Sequence, residues 1–186
     1  MTTLPNAGRP LSAFAGELLA RVQKLLVAEG GTPGRGAFGR VAQEVVELAL
    51  AEIEPGLVPN PGAGIPDCWC ELSGQMCACE IKYTDNGEVH LGERDIKGMR
   101  ESGKAEGGRL IVLDIQFPAR LWVLDAANME TGDLRPSAHG HLQQGEEAEN
   151  LANHIERLLR VVDVDLIAPE SVAKAGLREA DKRLRL

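Results

Sequence analysis

The chain has 186 residues, is 44% hydrophobic and 26% charged, and carries a formal net charge of −8. That length suits one domain with a buried core, and that apolar content separates the chain from disordered sequences. The acidic balance weighs against extended contact with nucleic acid unless basic residues are concentrated locally. No run approaches the roughly 18 uninterrupted apolar residues of a membrane helix, and the amino terminus lacks a charged-then-apolar secretory pattern. The expectation is a cytoplasmic protein with no membrane partner and with reduced thiols.

In chain order, Leu11 to Glu29 repeats apolar residues at helical spacing (Phe14, Leu18, Leu19, Val22, Leu25, Leu26), and Gly30-Gly31 ends the pattern. Gly31-Thr-Pro-Gly-Arg-Gly-Ala-Phe-Gly39 lacks the Gly-Lys-Ser/Thr ending of a nucleotide-binding loop and reads as a flexible connector. Arg35, with Arg40 just beyond, can meet a phosphate backbone there. Arg40 to Glu54 is a second amphipathic helix: Val41, Ala42, Val45, Val46, Leu48, Ala49, Leu50 and Ile53 share one arc, Gln43, Glu47 and Glu54 lie opposite, and Glu44 falls at the margin. Pro55 and the Pro/Gly-rich stretch 59–64 leave room only for a short strand near Gly56 to Val58.

Residues 68–79 form two alternating runs about Ser73-Gly74, a two-residue turn. That turn pairs Leu72 with Gln75, Cys70 with Cys77, Cys68 with Cys79, and Asp67 with Glu80. Opposed side chains in such a hairpin stand roughly 5 Å apart at Cβ, close enough for two carboxylates to share a cation. A period of two puts Lys82 on the face of Glu80 and Ile81 on the other. Two carboxylates with a backbone carbonyl, that of Ile81, suit Mg²⁺ or Mn²⁺, and a lysine beside them can orient water or hold developing negative charge.

The four cysteines, Cys68, Cys70, Cys77 and Cys79, fall on the face opposite the acids. Two readings stand: core thiols packed beneath the second helix, or a structural Zn²⁺ site built from two Cys-x-Cys pairs. The second would make the chain a non-catalytic zinc-braced or protein-binding module.

Beyond Lys82, Tyr83 to Gly87 is a strand end and turn, and Glu88 to Leu91 extends the sheet briefly. Glu93 to Glu106 is predicted helical, with Ile96 and Met99 apolar and Lys97, Arg100 and Lys104 grouped on another side. That stripe either tracks phosphates or forms a salt-bridged solvent face with Glu93 and Glu101. Arg109 to Ile115 has the continuous apolar character of a strand covered on both faces, and Arg120 to Asp125 returns beside it. Trp122 is expected in packing, and a total of six aromatic residues weighs against reading splayed bases by stacking. Ala126 to Gln144 is a polar loop holding His139 and His141. Helices Glu146–Val162 and Pro169–Arg185 close the chain.

Pro66-Asp67, twelve residues, and then Glu80-Ile81-Lys82 resembles the signature of the PD-(D/E)XK nuclease superfamily. The resemblance covers roughly residues 35–126 and implies an α/β fold with a restriction-endonuclease-like central mixed β-sheet flanked by helices. Helical extensions at 1–34 and 145–186 would complete a single nuclease-like domain. It implies a divalent-metal-dependent endonuclease that hydrolyses DNA, of junction-resolvase or restriction type, with the archaeal Holliday-junction resolvases the nearer likeness. Asp67 and Glu80 would be metal ligands with the Ile81 carbonyl, and Lys82 the catalytic lysine. An acid on the second helix, Glu44 or else Glu47, would complete the metal site. Members commonly act as homodimers. The short first strand departs from the family pattern.

Overall fold

In the computed structural model, residues 7–30, 32–60, 66–101, 103, 105–162 and 170–184 are described. The elements in chain order are β1 (Arg9–Pro10), α1 (Ala13–Gly30), α2 (Thr32–Ile53), β2 (Val58–Pro59), β3 (Cys68–Leu72), β4 (Gln75–Thr84), β5 (Val89–Leu91), α3 (Glu93–Glu101), β6 (Gly107–Asp114), β7 (Arg120–Asp125), β8 (Gly132–Leu134), a 3₁₀ helix (Pro136–Leu142), α4 (Gly145–Val161) and α5 (Glu170–Leu184). Six strands form a mixed sheet in the order β1-β7-β6-β4-β3-β2. The chain is thus an α/β protein with a mixed central sheet flanked by helices.

The hairpin β3–β4 forms in the expected register, with Cys68 opposite Cys79, Cys70 opposite Cys77 and Leu72 opposite Gln75. Ser73 and Gly74 both take positive φ, 51° and 77°, as a twist-matched two-residue turn requires. Strand β6 then runs parallel to β4, so α3 serves as the crossover between them. The apolar run in β6 is buried along both faces because helices cover each side.

On one face, α1, α2, α4 and α5 share a core with the sheet; Phe38, Val45 and Leu50 of α2 meet Ile111, Leu121 and Val123, while Leu19, Ile155 and Leu177 come from the flanking helices. On the other face, Ile96 and Met99 of α3 pack with Leu110, Val112, Trp122 and Leu124. Helix α3 sits so close to β6 that a Cβ on Gly108 would lie 2.6 Å from the Met99 carbonyl oxygen. Only glycine permits that approach.

Several expectations change. The glycine-rich stretch after Gly31 is helical, since α2 begins at Thr32. Pro33 is tolerated in a first helical turn, and burial of Phe38, stacked edge-on against Tyr83 at 4.9 Å between ring centroids, offsets the helical cost of the glycines. Helix α3 stops at Glu101, and at Glu106 the chain already joins the sheet: its N–H donates to the Met76 carbonyl at 2.8 Å. Residues Val89–Leu91 pair with Gly132–Leu134 in a separate two-stranded sheet instead of prolonging the main one. The polar loop after Ala126 therefore contains a strand and a 3₁₀ helix. Strand β1, pairing with β7, had no periodic signal in two residues. Among the described residues no helix is long and apolar enough to cross a membrane.

Candidate functional site

Asp67 sits immediately before β3 and is held by backbone bonds on both sides: its N–H donates to the Cys79 carbonyl and its carbonyl accepts from Asn60, each at 2.9 Å. One carboxylate oxygen accepts the Ile81 N–H at 2.7 Å, and the other accepts from the Gln43 side-chain amide at 3.2 Å. Since N–H and C=O of one strand residue point to the same side, the Ile81 carbonyl faces the Asp67 side of β4 as well.

Glu80 is 3% exposed, and its Oε2 is a buried oxygen without a hydrogen-bond partner among the described residues. Its Oε1 lies 2.7 Å from Lys82 Nζ. Even so, burial and then the neighbouring Asp67 carboxylate push the Glu80 carboxyl up to about 7, outweighing the lysine. Burial also raises Asp67, against the opposing pull of the Ile81 N–H and Lys82. For Lys82, burial favours the neutral amine, but Glu80 and Asp95 together hold the ammonium above its ordinary value.

Asp95 joins this group although no motif points to it. It is buried on α3, 3.2 Å from Lys82 Nζ, and its other oxygen accepts the Gly92 N–H at 2.8 Å. An acid in the first turn of a helix, three residues beyond a glycine that needs a capping acceptor, is the signal that could have found it. Gln43 was placed on the outer arc of α2 and instead reaches both Asp67 and Glu47, the latter at 2.7 Å.

Glu44 is corrected as a member of this cluster. It is buried, but its carboxylate is engaged by Arg178 of α5 at 2.5 Å and 3.2 Å. Rotation of about 100° per residue carries Glu44 toward α5 when Gln43 faces the hairpin. Glu47, through Gln43, is the α2 acid linked to Asp67.

Among the basic residues, Arg40 is exposed on α2 and Lys97 is exposed on α3, where it meets Glu101 at 3.8 Å. Arg100 is corrected from phosphate contact to structure: its guanidinium donates to the carbonyls of Ala126, at 3.2 Å, and Met129. Lys104 lies outside the described residues, as does the Arg35 side chain. The four cysteines are free thiols fully buried in the α2-side core, with Cys70 and Cys79 sulfurs 3.5 Å apart, and burial pushes the Cys77 thiol up to about 11.

Two carboxylates, those of Glu80 and Asp95, thus hold the Lys82 ammonium, and the Asp67 carboxylate stands near enough to Glu80 to raise it. Among the described residues no group of three or more His, Cys, Asp or Glu side chains is arranged to hold a metal ion. Asp67 and Glu80 nevertheless fit a hard divalent ion that takes one or two carboxylates and keeps several waters: the orphaned Glu80 oxygen and the mutual repulsion of the pair are both relieved by a cation. No protein-family model, curated protein or solved structure matches the chain.

Proposed function

We propose that the chain is a divalent-metal-dependent endonuclease of PD-(D/E)XK type that hydrolyses DNA phosphodiester bonds. The observation that carries this is the convergence of Asp67, Glu80 and Lys82 at the end of one hairpin, with a buried carboxylate oxygen left unpartnered. The succession of α2, the strands β2, β3 and β4, α3, and a β6 parallel to β4 supports a restriction-endonuclease-like core.

Asp67 and Glu80 would hold Mg²⁺ or Mn²⁺, with the Ile81 carbonyl beside them. When bound, the ion stabilises charge on the phosphate and acidifies water. Lys82 directs its ammonium toward that centre and orients the attacking water. Asp95 is a positioning residue that keeps Lys82 protonated and aimed, and Gln43 fixes the rotamer of Asp67.

The test is incubation with four-way junction, linear duplex, single-stranded DNA and RNA in Mg²⁺ or EDTA. We expect Mg²⁺-dependent DNA cleavage that falls by roughly 100-fold or more in Asp67→Ala and Lys82→Ala, at unchanged circular dichroism. Equal cleavage by parent and variants would reject the proposal. Stoichiometric zinc in the purified protein, lost on replacing Cys68 or Cys79 and accompanied by no cleavage, would replace it with a zinc-braced binding module.

A further inference from the structure

On the sheet face that carries Lys82, a concavity opens where the parallel strands end. Register places Lys82, Val112 and Trp122 side by side on β4, β6 and β7, and Thr84, Asp114 and Arg120 in the next row on that face. The cavity beyond them is about 350 Å³, within the range of small-molecule sites. Ligands of open α/β sheets bind outside the carboxyl ends of parallel strands, and this one lies there.

Its lining has the chemistry of a site for a flat polar ring. Phe117 is 80% exposed, an unusual state for a phenyl ring, and stands at the rim with Pro118. Trp122 forms a wall, is 3% exposed, and its indole N–H has no acceptor among the described residues. Gly8 packs flat on that indole, since a Cβ there would fall 2.4 Å from the ring, so the wall is held rigidly. Asp114 accepts the Gln116 N–H at 3.0 Å, leaving carboxylate capacity toward the cavity. Arg120, which donates to the Gly8 carbonyl at 3.1 Å, supplies positive charge beside it.

We propose that this cavity takes an unstacked nucleobase bearing an amino group, on the strand whose phosphate would sit at the Asp67–Glu80 centre. The proposal rests on the nuclease reading and deepens it by naming the substrate feature bound beside the reacting centre. Phe117 offers the stacking face, Asp114 accepts from the amino group, and the Trp122 indole closes the wall beside them. Cytosine and adenine present that amino donor. Thymine instead flanks its single ring N–H with two carbonyl oxygens, which the Asp114 carboxylate repels. Burial holds Asp114 above its ordinary value, as expected of a carboxylate short of donors.

The test uses the full chain in EDTA, followed by ¹⁵N-HSQC at the two indole N–H resonances, assigned with Trp69→Phe. Addition of CMP or AMP is expected to shift the Trp122 resonance saturably, with TMP and ribose 5-phosphate about tenfold weaker or silent. Phe117→Ala should weaken CMP binding about tenfold, and Asp114→Asn should erase the preference for CMP over TMP; the unliganded spectra report whether each variant is folded. An immobile Trp122 resonance, equal binding of ribose 5-phosphate, or parent-like binding by both variants would overturn the proposal. Because no cleavage is needed, the two ideas separate: CMP binding without Mg²⁺-dependent cleavage removes the nuclease reading, whereas cleavage without base binding removes this pocket alone.

Discussion

Glu80 shows how one carboxyl can record what its surroundings lack. Its proton is held in the folded chain up to about pH 7 and in the unfolded chain only to about 4.5. Between those values the folded state binds more protons, so the metal-free protein loses stability as pH rises, by on the order of 3 kcal/mol in total. The contribution is fully present below pH 4.5 and gone above 7. Denaturant melts from pH 4.5 to 7.5 in EDTA are expected to show that decline, Glu80→Gln to flatten it, and Mg²⁺ to oppose it by displacing the proton. The nearness of Asp67 to Glu80 was legible in the sequence because a strand has a period of two and a two-residue turn fixes register. Asp95 was not, since its meeting with Lys82 depends on how far α3 leans over β4 on the way to a parallel strand. Gln43 and Glu44 were exchanged because an amphipathic arc eight residues wide leaves the rotation of its edges uncertain.

At the scale of elements, buried charge joins α4 to the sheet. Arg109, at the start of β6, donates to both carboxylate oxygens of Glu147 at 2.8 Å and 3.2 Å and approaches Asp125 at 3.5 Å, with both Arg109 and Glu147 buried. Glu147 lies in the first turn of α4, where a carboxylate also faces the positive end of the helix. Glu147→Ala is expected to cost about 3–5 kcal/mol, read by urea denaturation, because it strands a buried guanidinium. Replacing both partners together, Arg109→Met with Glu147→Leu, should recover most of that loss. Arg109 looked like the mere edge of an apolar strand in the sequence, and nothing local marks its partner 38 residues away. The β6 strand itself was plain, since a run buried on both faces needs no alternation. The start of α2 was not, since glycine content signals a loop, while burial of Phe38 decides for helix.

For the molecule as a whole, 28 acidic residues face 20 basic ones, and that excess has to be reconciled with a polyanionic substrate. If Arg40, Lys82 and Lys97 each meet one phosphate, the plot of log affinity against log salt for duplex DNA should have a slope of about −3. A slope near −6 would mean that a second copy or another basic surface shares the work. Helices cover both faces of the sheet, while Asp67, Glu80 and Lys82 gather at the open end of the hairpin and the cavity lies beyond the ends of β4 and β6. The sequence alone determined the α/β class, the turn at Ser73-Gly74 and the alignment of Asp67, Glu80 and Lys82, all of which follow from short-range periodicity and turn chemistry. Tertiary structure alone decided that Asp95 and not Glu44 joins Lys82 and Glu80, that Arg100 serves backbone carbonyls, and that Trp122 and Asp114 share a cavity. Those outcomes depend on helix rotation and on parallel strand register, which are set by packing between residues far apart in the chain.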